Sequence, residues 1–379
     1  MEKSDRRPRA ARDGRPSMML SLIRQSIVGR DMAVGLGHGQ RGVAVMIGIS
    51  TAILAAAALH LASGIFAPVA FALFVMALVW PLQKGLRRVL PQLPALFLTL
   101  TVTVVVLLGF VSLTVWGFSQ AAQWLIANAG RFQALYMQGA GWLEGHGLYV
   151  AGTFVETFNV GWLIRFFQGV ATRVNGMLGF AVVTAIFVML GLLEVDVMRR
   201  KLAGAEAGAA GPALLKAGEE IAVKFRRYMM VRTVMSAFTG LAIWLFAAAT
   251  GLDLALAWGV IAFVLNYIPF IGPLVATLLP TLFAVVQFES WQMALAVFAG
   301  MNVIQFFSGS YIEPRVAGKA LAMSPFLVLL AVFFWAFMWG IAGAFIGVPL
   351  VIALLVICDQ HEESRWAARL LSGRPPGEG

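Results

Sequence analysis

The feature that most limits the fold is a series of apolar runs, each near the length of a bilayer. The hydrocarbon core is about 30 Å thick and a helix rises 1.5 Å per residue, so about 20 apolar residues cross it. Val43–Leu61 and Ile65–Leu82 meet that length, with Ser63 and Gly64 as the turn between them. Pro94–Phe118, Asn175–Leu193 and Thr233–Thr250 follow. Leu254–Val286, Trp291–Phe307 and Pro325–Ile357 are also apolar, the first and last with breaks inside. The pattern predicts an all-α, polytopic membrane protein with about eight transmembrane elements, the lipid bilayer being its first partner.

Composition agrees. Of 379 residues 60% are hydrophobic and only 12% charged, too few charges to clothe a soluble domain of this size. The 39 glycines suit close helix packing in lipid. Apolar content excludes disorder, and the lack of a Gly repeat excludes collagen. The formal charge of +10 collects at membrane borders, where the positive-inside rule accounts for it. Aromatic residues lie within apolar runs and do not alternate with Lys and Arg, so no nucleic acid is expected as a partner. Cys358 is the single cysteine, and His38, His60, His146 and His361 show no metal-ligand spacing, so neither metal nor cofactor is expected. No Ser/His/Asp order, carboxylate pair or Walker sequence is present, and the reading is of a protein that is not an enzyme.

The chain divides into a basic cytoplasmic tail (1–42), three transmembrane helices (43–118), and an amphipathic interfacial or periplasmic segment (119–174). A fourth transmembrane helix (175–193), a cytoplasmic amphipathic segment (194–232), a C-terminal core with broken helices (233–358) and a cytoplasmic tail (359–379) complete it. Nine basic residues precede the first span and eight lie in 194–232, against two, Arg131 and Arg165, in 119–172. That asymmetry places both termini in the cytoplasm and 119–172 outside. Counting each broken run as one element or two leaves the C-terminus inside, so charge does not decide whether 254–286 and 325–357 span or re-enter.

The strongest local signal is Asn266-Tyr267-Ile268-Pro269-Phe270-Ile271-Gly272-Pro273. Two prolines around a glycine force a turn, and irregular backbone at bilayer depth survives only against protein or a water-filled cavity. Such breaks hold ions or polar solutes in transporters, or serve as plain kinks. Asn266, Pro269, Gly272 and Pro273 are therefore candidates for a solute path, with Gly340 and Gly343 at the second break. Asn302 and Gln305, three apart on one helical face, either line that path or bond between helices. Glu313, Arg315 and Lys319 form a charged cluster, read as its cytoplasmic mouth or as an ordinary solvated loop between Ser308 and Ser324. Asp253 and Glu289 lie at segment ends, where they serve ion coupling or sit in headgroups. Gly343 and Gly347 form a G-x-x-x-G spacing for helix contact. Gly37, Gly39 and Gly42 match a G-x-G-x-x-G spacing, but no strand precedes them, so they do not read as a dinucleotide site.

The 266–273 motif resembles the autoinducer-2 exporter family of bacterial permeases. The resemblance continues through Pro280, Tyr311-Ile312-Glu313-Pro314-Arg315-Val316-Ala317-Gly318-Lys319, Leu321, Ser324-Pro325, Trp339-Gly340-Ile341-Ala342-Gly343 and Val348-Pro349-Leu350. It implies a homo-oligomer, such as a pentameric ring, that exports a small polar molecule. One branch of that family is linked to autoinducer-2, others resemble Na+(Li+)/H+ antiporters, and the Arg-rich tail departs from the pattern. The expected function is a secondary transporter of a small polar solute or cation in the bacterial inner membrane. The alternatives are a Na+(Li+)/H+ antiporter and a non-transporting scaffold. Ala at Pro269 and Gly272 is expected to impair transport ahead of membrane insertion.

Overall fold

The computed structural model describes residues 42–43, 45–146, 161–204, 208, 210–317, 323–360, 364–366 and 371. Lys319, Leu321 and the glycines at 37 and 39 lie outside these. The chain divides into two compact units, residues 1–62 and residues 63–379. The first holds one short apolar helix, α1 (Val45–Leu61).

The second unit holds α2 (Ser63–Leu86), α3 (Gln92–Ala127), α4 (Ala129–Gly145), α5 (Gly161–Ala203) and α6 (Ala210–Ala249). It continues with α7 (Ala255–Leu265), α8 (Ile271–Phe288), α9 (Trp291–Phe306), a π-helical segment Phe307–Ile312, α10 (Glu313–Ala317) and α11 (Pro325–Gln360). The described residues contain no strand, and seven of the helices are long and apolar enough to cross a membrane. The protein is a polytopic helical membrane protein.

Several helices outrun the apolar runs that seed them. α3 has 36 residues, about 54 Å at 1.5 Å per residue, well beyond a 30 Å core. It carries on from Phe118 to Ala127, α5 joins 161–174 to the apolar run without a break, and α6 joins 210–232 to Thr233–Ala249. The expected loop Ser308–Ser324 is helical as far as Ala317: the helix begun at Trp291 carries on through the π-helical segment into Glu313–Ala317.

The two interrupted runs both fold back as helical hairpins. α7 has 11 residues, about 16 Å, too short to cross. At the far end of α8, Gln287 accepts from the Asp253 backbone N–H at 2.8 Å and donates to the Gly251 carbonyl at 2.8 Å. The chain therefore leaves beside the point where it entered. The arms touch at the tip, where a Cβ on Gly272 would lie 1.9 Å from the Leu265 carbonyl oxygen. Depth is set by α6: the tip reaches Ser236 and Thr233, about 20–24 Å along the helix from Ala249.

α11 breaks at Trp339 (φ −134°) and Gly340 (φ 63°, ψ −140°), a backbone that suits glycine alone. Its halves then fold back on each other. A Cβ on Gly343 would lie 1.9 Å from the Trp335 carbonyl oxygen, and one on Gly347 would lie 2.9 Å from that of Ala331. The pairs 335/343 and 331/347 keep an antiparallel register, so the glycine pair serves packing within one chain. The last residue of the second arm, Gln360, donates to Glu220 of α6 at 3.4 Å. The second hairpin thus enters from the Glu220 end of α6 and the first from the Ala249 end.

The hairpins meet inside the protein. Tyr267 stacks on Phe345 with ring centroids 5.5 Å apart, and Phe110 of α3 sets its edge against both. Trp258, Phe283, Ile243 and Met301 fill the core around the first hairpin, and Phe74, Val188, Val332 and Ile346 that around the second. α6 and α7 cross at Gly240 and Gly259, where a Cβ on Gly240 would lie 2.7 Å from the Gly259 carbonyl oxygen.

Candidate functional site

Arg232, Ser236 and Thr239 share one face of α6 through their spacing of four and three residues. All three are buried, and each meets a polar group from another element. The Arg232 guanidinium donates to Glu313 at 3.2 Å and lies over the Tyr228 ring. Asn266, at the first hairpin tip, donates to the Ser236 hydroxyl at 3.4 Å. The Thr239 hydroxyl bonds the Ser308 hydroxyl. One step round the helix, Thr233 accepts from the Tyr267 phenol at 3.0 Å. Together these groups form a polar seam through an otherwise apolar interior.

Local geometry explains how the seam is assembled. Pro269 has no N–H to donate to Leu265, so α7 stops, and Pro273 falls in the first turn of α8, where a missing N–H costs no helical bond. The tip then satisfies its own backbone with tight bonds: Ile268 N–H to Leu265 O, Gly272 N–H to Ile268 O, and Ile271 N–H to Pro269 O. Phe270 sits at φ 61°, a conformation that costs a non-glycine residue on the order of 1–3 kcal/mol. Across the seam, the i→i+5 pattern of the π-helix at Phe307–Ile312 stacks residues five apart. It thereby brings Ser308 and Glu313 to one side, facing Thr239 and Arg232. Three residues before Ser308, the buried Gln305 side-chain nitrogen has no hydrogen-bond partner among the described residues. A buried amide N–H without a partner is costly unless something else fills that place.

The other expected site residues lie elsewhere. Asn302 is exposed and bonds back to the Phe298 carbonyl of its own helix at 2.7 Å. Asp253 is exposed and accepts from the Trp124 indole at 2.9 Å. Glu289 is exposed at φ 48° between α8 and α9. Gly340 and Gly343 shape the second hairpin, and Arg315 is exposed over the Tyr311 ring at 3.8 Å. Glu313 and Asn266 are thus the polar groups of the expected set that make bonds across the seam, with Gln305 beside them. Arg232, Thr233, Ser236, Thr239 and Ser308 complete it; the 232/236/239 spacing is a readable signal for the three residues on that face alone. The described residues contain no group of three or more potential metal ligands.

Comparison with known proteins supplies the family. The family described as AI-2E family transporter matches residues 49–363. The chain is similar to the AI-2 transport protein TqsA of Escherichia coli (strain K12), 37% identical over 145 residues, 38% of this chain and 42% of that one. Two proteins named "Putative transport protein" are also similar. The one from Borreliella burgdorferi is 30% identical over 200 residues, 52% of this chain and 55% of its own length. The one from Haemophilus influenzae is 24% identical over 344 residues, 86% of this chain and 95% of its own length. The matches to TqsA and to the Borreliella protein thus span about half of each relative. With its interrupted apolar segments and a family match over most of its length, the chain belongs to the AI-2E family of transporters.

Proposed function

We propose that this transporter moves a small polar solute outward across the bacterial inner membrane, and that the solute passes along the α6 seam between the two hairpin tips. The observation that carries the reading is Asn266, which sits buried at the deepest point of one hairpin and bonds to Ser236 of α6. Amide, hydroxyl and phenol groups lie next to one another there, suited to a solute with several hydroxyl groups. Glu313 and Arg315 mark the cytoplasmic mouth, both termini are cytoplasmic, and the working form is a homo-oligomer. Autoinducer-2 is the first solute to test, because a similar protein is named as its transporter.

The test is efflux from proteoliposomes that hold the purified chain and labelled autoinducer-2, with a Na+ or H+ gradient imposed in turn. Efflux above protein-free liposomes, dependent on one gradient, supports the reading and names the coupling ion. Dissipation of a proton gradient on Na+ addition without efflux would replace it with Na+/H+ antiport. Glu313, and not Asp253 or Glu289, is then the acid beside the seam. Silence in both assays would contradict the choice of solute.

A further inference from the structure

A basic cavity of about 790 Å³ lies away from the seam, between the end of α2, the start of α3 and the end of α5. Five cations line it, Lys84, Arg87, Arg88, Arg199 and Arg200, against one carboxylate, Asp196. Asp196 pairs with Arg87 and Arg199 pairs with Glu219. Among the described residues, no carboxylate lies within ion-pair distance of Lys84, Arg88 or Arg200. Among the described residues, three cations of this cavity therefore have no carboxylate of their own.

The start of α3 adds to this. Gln92, its first residue, lines the cavity, Pro91 offers no side-chain cap, and the first turn holds no acid. The open N–H groups there are those of Gln92 and Leu93, since Pro94 has none and the Ala95 N–H bonds the Pro91 carbonyl, and open N–H groups at a helix start favour an anion. Phosphate is the anion that fits such a set, since Arg and Lys at several angles satisfy its several oxygens.

Two sources carry that chemistry, a soluble phosphate and a lipid headgroup, and the cavity's apolar wall favours the lipid. Leu193 and Val197 line the cavity beside Trp80. Val182, Ile186, Leu190 and Val197 of α5 are all exposed and share one helical face. That face runs about 22 Å from the cavity into the apolar span, more than the depth of one leaflet. An indole at the cavity suits headgroup depth. We infer that this cavity binds the phosphate of an anionic phospholipid, with an acyl chain laid along α5.

The test is thermal melting of the full-length protein in detergent with dioctanoyl phosphatidylglycerol, dioctanoyl phosphatidylcholine or glycerol 3-phosphate. Phosphatidylglycerol should raise the midpoint by about 3 °C or more through mass action, and the other two should leave it in place. The triple variant Lys84→Gln/Arg88→Gln/Arg200→Gln should lose the shift. Lys84→Gln alone, at an exposed position, should fold normally and lose part of it. Arg131→Gln, exposed on another element, should keep it. An equal shift with phosphatidylcholine, or a full shift in Lys84→Gln and the triple variant, would overturn the site. An equal shift with glycerol 3-phosphate would overturn the lipid and point to a soluble phosphate.

Discussion

The two hairpins share an outline and differ in substance. The first has a tip of five residues, closed by prolines, with Asn266 and Tyr267 bonded to Ser236 and Thr233 of α6. The second turns in two residues, Trp339 and Gly340, and its arms lie together on Gly343 and Gly347. The first hairpin spends helix continuity on placing polar groups at depth. The second spends side-chain volume on bringing two backbones into contact, and meets the first through an aromatic face, Phe345. The difference separates a hairpin that carries polar groups to depth from one that packs backbone on backbone.

That division is easiest to break in the second hairpin. A methyl group on Gly343 would sit 1.9 Å from a backbone oxygen, which no side-chain rotation relieves. Gly343→Ala should destabilise the protein by about 3 kcal/mol or more, the upper end for overpacking, read as a fall in melting temperature and in folded yield. The same geometry holds at Gly272, so Ala there disturbs packing as well as transport. Pro269→Ala is the cleaner probe of the first tip.

The next effect is electrostatic. Glu313→Gln leaves the buried Arg232 guanidinium without its carboxylate. Breaking a fully buried pair costs about 3–5 kcal/mol. The Glu313 side chain is 29% exposed, so about 2–3 kcal/mol is expected. Thermal melting should show the loss, and Arg232→Met/Glu313→Leu should recover most of it. Failure to recover would mean that the pair does more than balance charge.

Asn266→Ala separates chemistry from support. Its bond to Ser236 is long at 3.4 Å, so stability should fall by only about 1 kcal/mol, while efflux should fall well below that of a support variant of equal stability. The smallest effect belongs to Asn302→Ala, which removes an exposed side chain bonded to its own helix. Stability should change by less than about 0.5 kcal/mol, and efflux should persist.

The sequence carried the breaks but not the direction of return. Pro269, Pro273 and Gly340 announce interruptions, since proline removes a donor and glycine permits positive φ. Whether the chain then crosses or turns back is fixed by Gln287 against Gly251 and by Gln360 against Glu220. Those contacts are far apart in sequence, and both topologies leave the C-terminus on the same side. The seam was half legible. Asn266 and Glu313 stand out as polar residues among apolar ones, whereas Arg232 reads as the end of a basic stretch. Only the continuity of α6 across residue 232 carries it into the seam with Ser236 and Thr239. Ser308 depends on a π-helical segment, which leaves no mark in hydrophobic periodicity.

The most direct test of the account is to fasten the two hairpins together where Tyr267, at the first tip, meets Phe345, on the second arm of the other. Cysteines at those two positions, in a Cys358→Ser background, would be joined by a short bifunctional thiol reagent with a reducible link, and solute efflux from proteoliposomes measured before linking, after linking and after reduction. If solute passes between the tips, linking should abolish efflux and reduction should restore it. Efflux that continues unchanged in fully linked protein would place the path elsewhere and contradict the account.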